Sequence, residues 1–286
     1  MITRHTLMMI AVAALIGLPA VSSAQPPASD DARRVTRIED LPELTRRRAR
    51  GRERVVSALA ALPEGHALKV RLGAFYDWGH SDSSDEQEPH VRSIVTVDAD
   101  GHEQGTEYTF AHNARDPIQI AHWQDGRKHG TEVFYNVNPR YKSAEVEWVD
   151  GRIHGVRRTF YPDGTIQSET PYKDGEQHGQ AKSYAADGTV IRVSTMQHGE
   201  RDGEMIDYWP ATGNPRRILR YDRGTVQGTV REYHENGQLR REIPFVDDMM
   251  HGEEKRFTAD GEPERSRFWI RGDLVTRSEF ELRFGN

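Results

Sequence analysis

The chain contains no cysteine. That excludes disulfide staples, thiolate metal centres and cysteine nucleophiles, and it removes the attachment residue of a lipoprotein leader. Hydrophobic residues are scarce as well, at 35% against 29% charged, so a thick two-layer core is excluded and a thin, repetitive one remains. No apolar run approaches the roughly 20 residues that a membrane-spanning helix needs. The run from Leu7 to Leu18 follows Arg4 and His5 and precedes Pro19 and Ser22-Ser23-Ala24. That order of charged, apolar and small residues is the pattern of a secretory signal, with cleavage expected after Ala24. Loss of the leader removes Arg4 from the 39 basic residues, leaving 38 against 45 acidic and a net charge of −7. Such a balance argues against nucleic acid as a partner. No Gly-x-Ser-x-Gly elbow, His-Glu-x-x-His helix or phosphate-binding glycine loop occurs.

What the chain does have is period. Gly105, Gly130, Gly155, Gly179, Gly203, Gly228 and Gly252 follow one another at 25, 25, 24, 24, 25 and 24 residues. Four positions before each stands Gly101, Gly126, Gly151, Gly175, Gly199 or Gly224, with Asp248 as the exception. Five positions after each stands an aromatic: Phe110, Tyr135, Phe160, Tyr184, Tyr208, Tyr233 and Phe257. A second row, three positions before the first glycine, holds Trp123, Trp148, Tyr172, Met196, Tyr221, Phe245 and Trp269. Glycines accept positive φ, so both are expected in turns, and Asp163-Gly164, Asp187-Gly188, Asn236-Gly237 and Asp260-Gly261 mark a second turn. Thr212-Gly213 is a weaker version of it, while units one and two carry Ala114-Arg115 and Asn138-Pro139 there. Each unit therefore reads as two short antiparallel strands. One unit buries too little apolar area to offset its chain entropy, so neighbours must stack, with the aromatic rows as the expected seam.

The runs Asp150-Gly151-Arg152-Ile153-His154-Gly155 with Phe160-Tyr161-Pro162-Asp163-Gly164, and Asp174-Gly175-Glu176-Gln177-His178-Gly179 with Tyr184 and Asp187-Gly188, resemble the MORN (membrane occupation and recognition nexus) repeat. The likeness is greatest to the bacterial variant found in antitoxin-like proteins. It implies a mainly β fold, an elongated stack of antiparallel hairpins, over residues 99–271. The expected organisation is a signal peptide at 1–24, a disordered tether at 25–36, an N-terminal α+β cap at 37–98 and a partial terminal repeat at 272–286.

In the cap, Asp40, Pro42 and Glu43 suggest a helix start, and Leu44, Val55, Val56, Leu59 and Leu62 an apolar face ending at Pro63. The arginine run from Arg46 to Arg54 reads as a solvated helix face. Leu68, Val70, Leu72, Ala74, Tyr76 and Trp78 alternate as a strand, and Val91 to Val97 make another. Residues 79–90, with Asp82, Asp85, Glu86 and Glu88, form a polar loop. Phe280, Leu282 and Phe284 are expected to close the far end.

No catalytic, cofactor or metal site emerges. His129, His154, His178 and His251 each precede a second glycine, but equivalent residues of stacked two-strand units lie roughly 9.5 Å apart. They cannot share one ion, whose nitrogen ligands sit about 2.1 Å away. The leading functional reading is a non-enzymatic protein-interaction scaffold of the cell envelope, with Arg158, Lys182, Arg231 and Lys255 standing on the face as partner-binding positions. The alternatives are a cell-wall glycan binder using its aromatic rows, and a neutraliser of an exported toxin. Intact-mass analysis of the native protein should show a chain beginning at Gln25; a retained Met1 would refute export by this leader.

Overall fold

The computed structural model describes residues 32–37, 40–41, 52–73, 90–111 and 116–284. The leader, most of the tether, residues 42–51 with Arg46 to Arg50, Ala74, Tyr76, Trp78, the loop to residue 89 and the Ala114-Arg115 turn lie outside the described residues. From residue 33 onward the chain groups as one unit built on one open antiparallel sheet of 22 strands. Successive strands pair in chain order, for example Gly130–Val137 with Arg140–Val149 and Gly155–Phe160 with Ile166–Lys173.

The turn at the first glycine is a tight reversal with positive φ at both central residues: Asp150 at 49° and Gly151 at 79°, Asp174 at 53° and Gly175 at 94°. That is the type I′ signature, whose twist matches that of paired strands. The second glycine corrects the expectation of two turn glycines. It lies inside a strand, as a bulge. Arg127–Lys128, Arg152–Ile153, Glu176–Gln177 and Met249–Met250 pair across the turn, and the chain then kinks at Gly130, Gly155, Gly179 and Gly252 before the main strand continues. This is why the sheet counts more strands than two per unit. The histidine before the bulge turns its N–H back to the previous strand, as His154 N does to Glu147 O at 2.9 Å and His178 N to Pro171 O at 3.0 Å.

The second turns are four-residue reversals closed at both ends. Tyr161 N donates to Thr165 O and Gly164 N to Tyr161 O, while Asp163 Oδ1 accepts from the Thr165 N–H and hydroxyl. Those bonds, the hydroxyl first, hold the Asp163 carboxyl below its ordinary pKa. In unit two the Asn138–Pro139 turn carries a cis peptide.

Units are joined by backbone. The N–H groups of Gly126, Gly151, Gly175, Gly199, Gly224 and Gly272 donate to Glu103, Lys128, Ile153, Gln177, Arg201 and Met250 carbonyls of the preceding unit, at 2.7–3.0 Å. Asp248, the exception in the glycine row, keeps the same bond to Val226 O at 3.2 Å with φ at 65°. Its carboxylate accepts the Val226 N–H in return at 2.7 Å, which offsets the left-handed strain that glycine avoids.

At the N-terminal end the helix Arg52–Ala60 lies over Ala67–Gly73 and His90–Val97, where Val35, Leu41, Val55, Leu68, Val70, Val91, Ile94 and Phe110 form the main core. Two expectations change there. Residues 32–35 are a strand rather than tether, because Val35 enters this core. Asp40 closes a turn backwards, accepting from the N–H groups of Thr36 and Arg37 at 2.9 and 3.1 Å, while the helix start expected after it lies outside the described residues. Val56 faces out, since the helix turns Val55 inward.

The C-terminal end closes with the hairpin Arg267–Ile270 and Asp273–Val275 and a helix, Arg277–Phe284. Thr276 and Glu279 form a reciprocal capping box, 2.8 Å from Thr276 N to Glu279 Oε2 and 3.2 Å from Glu279 N to Thr276 Oγ1. Phe280 packs at a tilt against Phe268 and Phe284 meets the His251 ring edge-on, but Leu282 is 86% exposed and closes nothing, because the helix presents only its phenylalanine face to the sheet.

Alanine scanning separates the two glycine roles. A Cβ on Gly252 would stand 3.0 Å from Pro244 Cγ and 3.3 Å from its Cβ, whereas one on Gly164 meets nothing within 4 Å. Both have positive φ, which costs an alanine about 1–2 kcal/mol. Gly252→Ala should therefore lower the melting temperature clearly more than Gly164→Ala in thermal denaturation; equal shifts would deny the bulge its packing role.

Candidate functional site

The register places the two aromatic rows on opposite faces, which corrects the expectation of a common seam. Trp123 pairs with Gly105, Trp148 with Gly130 and Tyr172 with Gly155, so this row shares a face with positions two and four after the second glycine. Tyr184, five positions after its glycine, instead reaches Glu169, which pairs with Lys182 three positions after it.

The face of the tryptophan row looks charged in sequence yet is the better buried. Ala121, Val146, Met205, Leu219, Val230 and Ile243 lie in it together with Glu107, Glu132 and Glu254. These carboxylates are bonded to tryptophan. Trp123 Nε1 donates to Glu107 at 3.0 Å, Trp148 Nε1 to Glu132 at 2.8 Å and Trp269 Nε1 to Glu254 at 2.9 Å. Glu132, 2% exposed, also accepts from Gln119 and Lys128, both at 2.5 Å. A buried indole N–H needs an acceptor and a buried carboxylate needs donors, so each cancels the other's desolvation. The pairing was readable but missed: the units with tryptophan carry glutamate at this position, and the units with Tyr172, Met196, Tyr221 and Phe245 carry Arg157, Ala181, Met205 and Val230. Further along the face, Asp207 takes Arg192 at 2.5 Å and Arg217 at 3.0 Å, and Glu232 takes Arg241 at 2.7 Å. Burial pushes the Glu232 carboxyl up, but the Arg241 bond together with the charges of Arg241, Arg217 and Arg240 outweighs it, and the net shift is downward.

The opposite face holds the positions expected to bind a partner. Arg158 is not a free cation there. Its guanidinium lies between Glu169 at 3.1 Å and Glu145 at 3.2 Å, and only 30% of the side chain is exposed. The Glu169 bond raises Arg158's pKa. Tyr184 donates to Glu169 at 2.7 Å, and its phenol is pushed up to about 12, first by burial and then by that carboxylate. Arg231 is half exposed and bonded to Glu242 at 2.8 Å, so it too is partly committed. Lys255 is exposed, and Lys182 is half-buried beside Glu169. Phe110 and Phe160 are buried, while Tyr135, Tyr184, Tyr208, Tyr233 and Phe257 are half-buried.

The histidines do not converge. His129 Nδ1 lies 3.7 Å from Asp150 and His154 Nδ1 3.7 Å from Asp174, each against the turn of the next unit, and the His178 ring lies edge-on to that of His198. Asp98, Asp100 and His102 bring donor atoms within 4.8 Å of one another, but Asp98 is already the acceptor of the His102 N–H within one turn. A shallow depression near the second turns is lined by Trp209, Arg216, Arg217, Glu232, Tyr233 and Arg240. Among the described residues no helix is long and apolar enough to cross a membrane.

Stacked hairpins joined at their turns, with side chains consumed in neighbour contacts, define a β-repeat protein. Two of its units match the family model described as "MORN repeat variant", at residues 153–174 and 226–247, each match running from the strand before a bulge glycine to the next turn. No curated protein matches the chain. A solved structure of an S. aureus TarM mutant in complex with fondaparinux, alpha-GlcNAc-glycerol and UDP is 13% identical over 47% of this chain and 21% of that chain. Its TM-score of 0.22 carries no argument.

The tryptophan–carboxylate pairs are testable. Trp148→Phe replaces the indole by a smaller aromatic ring and withdraws one donor from a buried carboxylate, and should cost about 1–3 kcal/mol in chemical denaturation. Tyr221→Phe, in a unit with Met205 at the equivalent position, should cost well under that; equal costs would show that the indole N–H contributes nothing.

Proposed function

We propose that this chain is an exported, non-enzymatic scaffold that binds a protein partner across several hairpin units. The observation that carries this reading is the regular stack itself. It presents similar hairpins at intervals of 24 or 25 residues, its buried carboxylates are bound to neighbours, and its histidines lie apart at successive turns rather than gathered in a cleft. Such a surface suits an extended contact better than it suits acid–base chemistry, which needs titratable groups facing an enclosed substrate. Repeats of this kind support a binding role at the level of the family, and export rests on the leader alone.

Burial weighs against the glycan alternative. Trp123 and Trp148 are half-buried, with their N–H groups committed to Glu107 and Glu132, so they are poorly placed to stack on sugar rings. The toxin-neutralising alternative rests on the resemblance and has no feature of the site behind it.

The test is capture from envelope extract with the protein lacking residues 1–24 as bait, followed by paired melting and binding measurements with the partner recovered. Tyr184→Ala should lower stability by roughly 2 kcal/mol, less than a fully buried ring would, with little effect on binding beyond that loss. Lys182→Ala and Lys255→Ala should each weaken binding severalfold with melting unchanged. Should Tyr184→Ala leave melting intact and abolish adhesion to an isolated polysaccharide, the glycan reading replaces the scaffold.

A further inference from the structure

The depression near the second turns differs from the rest of the stack in charge. In units two to six the register shifts just before the aromatic five positions past the glycine, so one residue of the partner strand is left out of the ladder. Tyr135 pairs with Lys142, Phe160 with Ile166, Tyr184 with Val190, Tyr208 with Pro215 and Tyr233 with Leu239. The residues left out are Ser143, Gln167, Ile191, Arg216 and Arg240. A bulge re-aims its extra side chain away from the pleat. Only in the fifth and sixth units does this place two exposed arginines in neighbouring hairpins.

Their surroundings leave these cations uncommitted. Among the described residues, the side chains of Arg216 and Arg240 form no hydrogen bond or close ion pair, while the carboxylates nearby are bonded elsewhere, Asp207 to Arg192 and Arg217 and Glu232 to Arg241, with Arg240 acting on Glu232 only through its charge. Arg217, which also lines the depression, has a buried Nε with no acceptor. Trp209 and Tyr233 form its apolar wall. Trp209 is held in place by its Nε1 bond to Tyr233 O at 3.2 Å, with the Arg216 guanidinium 5.7 Å from its ring centre.

We propose that this depression is a carboxylate-binding site for an acidic segment of a polypeptide partner, with Arg216 and Arg240 as the clamp and Trp209 and Tyr233 as the wall. Guanidinium groups match a carboxylate through paired N–H donors. Glu232 in the lining repels a doubly charged phosphate more strongly than a singly charged carboxylate. The Trp209 face, already approached by Arg216, is not open for stacking on a sugar. The proposal rests on the scaffold reading and names the chemistry of one contact within it.

The experiment uses the protein lacking residues 1–24 and a fluorescein-labelled octa-glutamate peptide, followed by anisotropy at low salt, with a galacturonate oligomer and inorganic phosphate as the other probes. The peptide should bind with a Kd below about 1 mM. The double variant Arg216→Ala/Arg240→Ala should weaken it by about tenfold or more with melting nearly unchanged. Arg223→Ala/Arg271→Ala, which removes equal charge at the first turns, should leave it within about twofold, the small change expected of distant screened charges. No peptide binding, or equal loss in both double variants, overturns the site. Tighter binding of the galacturonate oligomer or of phosphate, lost in the Arg216→Ala/Arg240→Ala variant, overturns the polypeptide assignment. If peptide binding is absent but this variant still captures the envelope partner, the site fails and the scaffold reading stands. If the peptide binds as expected and no partner is ever captured, the scaffold reading fails and the site stands.

Discussion

The fold depends on one backbone hydrogen bond repeated along the chain, from the N–H at the tip of each type I′ turn to a carbonyl of the unit before. Gly151 N to Lys128 O and Gly224 N to Arg201 O, at 2.8 and 2.7 Å, are representative. The bond demands positive φ at the donor, and this is why the position is glycine wherever nothing else compensates. It also sets the spacing at which everything else must stack. Asp248 shows the constraint from the other side: a non-glycine is tolerated there because its own carboxylate adds a second bond, to Val226 N.

Given that spacing, side chains on each face meet their equivalents in neighbouring units, and like charges would accumulate if every unit were identical. The chain avoids this by alternating sign between strands. Arg192, Asp207, Arg217, Glu232, Arg241 and Glu254 follow one another across one face, and Glu145, Arg158 and Glu169 across the other. A thin sheet with few apolar residues gains little from exposed ion pairs taken singly. A connected row gains more, because each side chain once ordered serves two partners. Arg158 serves Glu145 and Glu169, and Asp207 serves Arg192 and Arg217. The tryptophan–glutamate pairs extend the same economy to the buried positions.

The repeat, the β class and the presence of hairpin turns at the first glycines were legible because glycine spacing and turn chemistry are local and leave a mark in one dimension. The same period identified the MORN resemblance that the family model supports at residues 153–174 and 226–247. Which glycine turns and which bulges was not legible, since both need positive φ, and the distinction lies in whether a side chain such as Pro244 stands opposite. The separation of the aromatic rows onto two faces depended on that bulge, because an extra residue reverses the alternation. Glu132 and Glu254 read as surface charge until the indoles opposite them were placed. Arg158 read as exposed because its two carboxylate partners lie 13 and 11 residues away, on neighbouring strands.

A repeat protein spends its regular positions on holding itself together, and this shapes where its chemistry can lie. The turn glycines, the bulge histidines and the aromatic rows are largely engaged within the stack, which limits what they can recognise, although Tyr233 also borders the arginine depression. Individuality is left to positions that the stack does not constrain, and the bulged residue of each second turn is one of them: it may be serine, glutamine, isoleucine or arginine without disturbing the ladder. Where two neighbouring units both place arginine there, beside a fixed tryptophan, the array acquires a local feature that its period does not require. On the proposed reading, recognition would divide between an extended face with spread affinity and a charged notch that selects among partners able to lie along it.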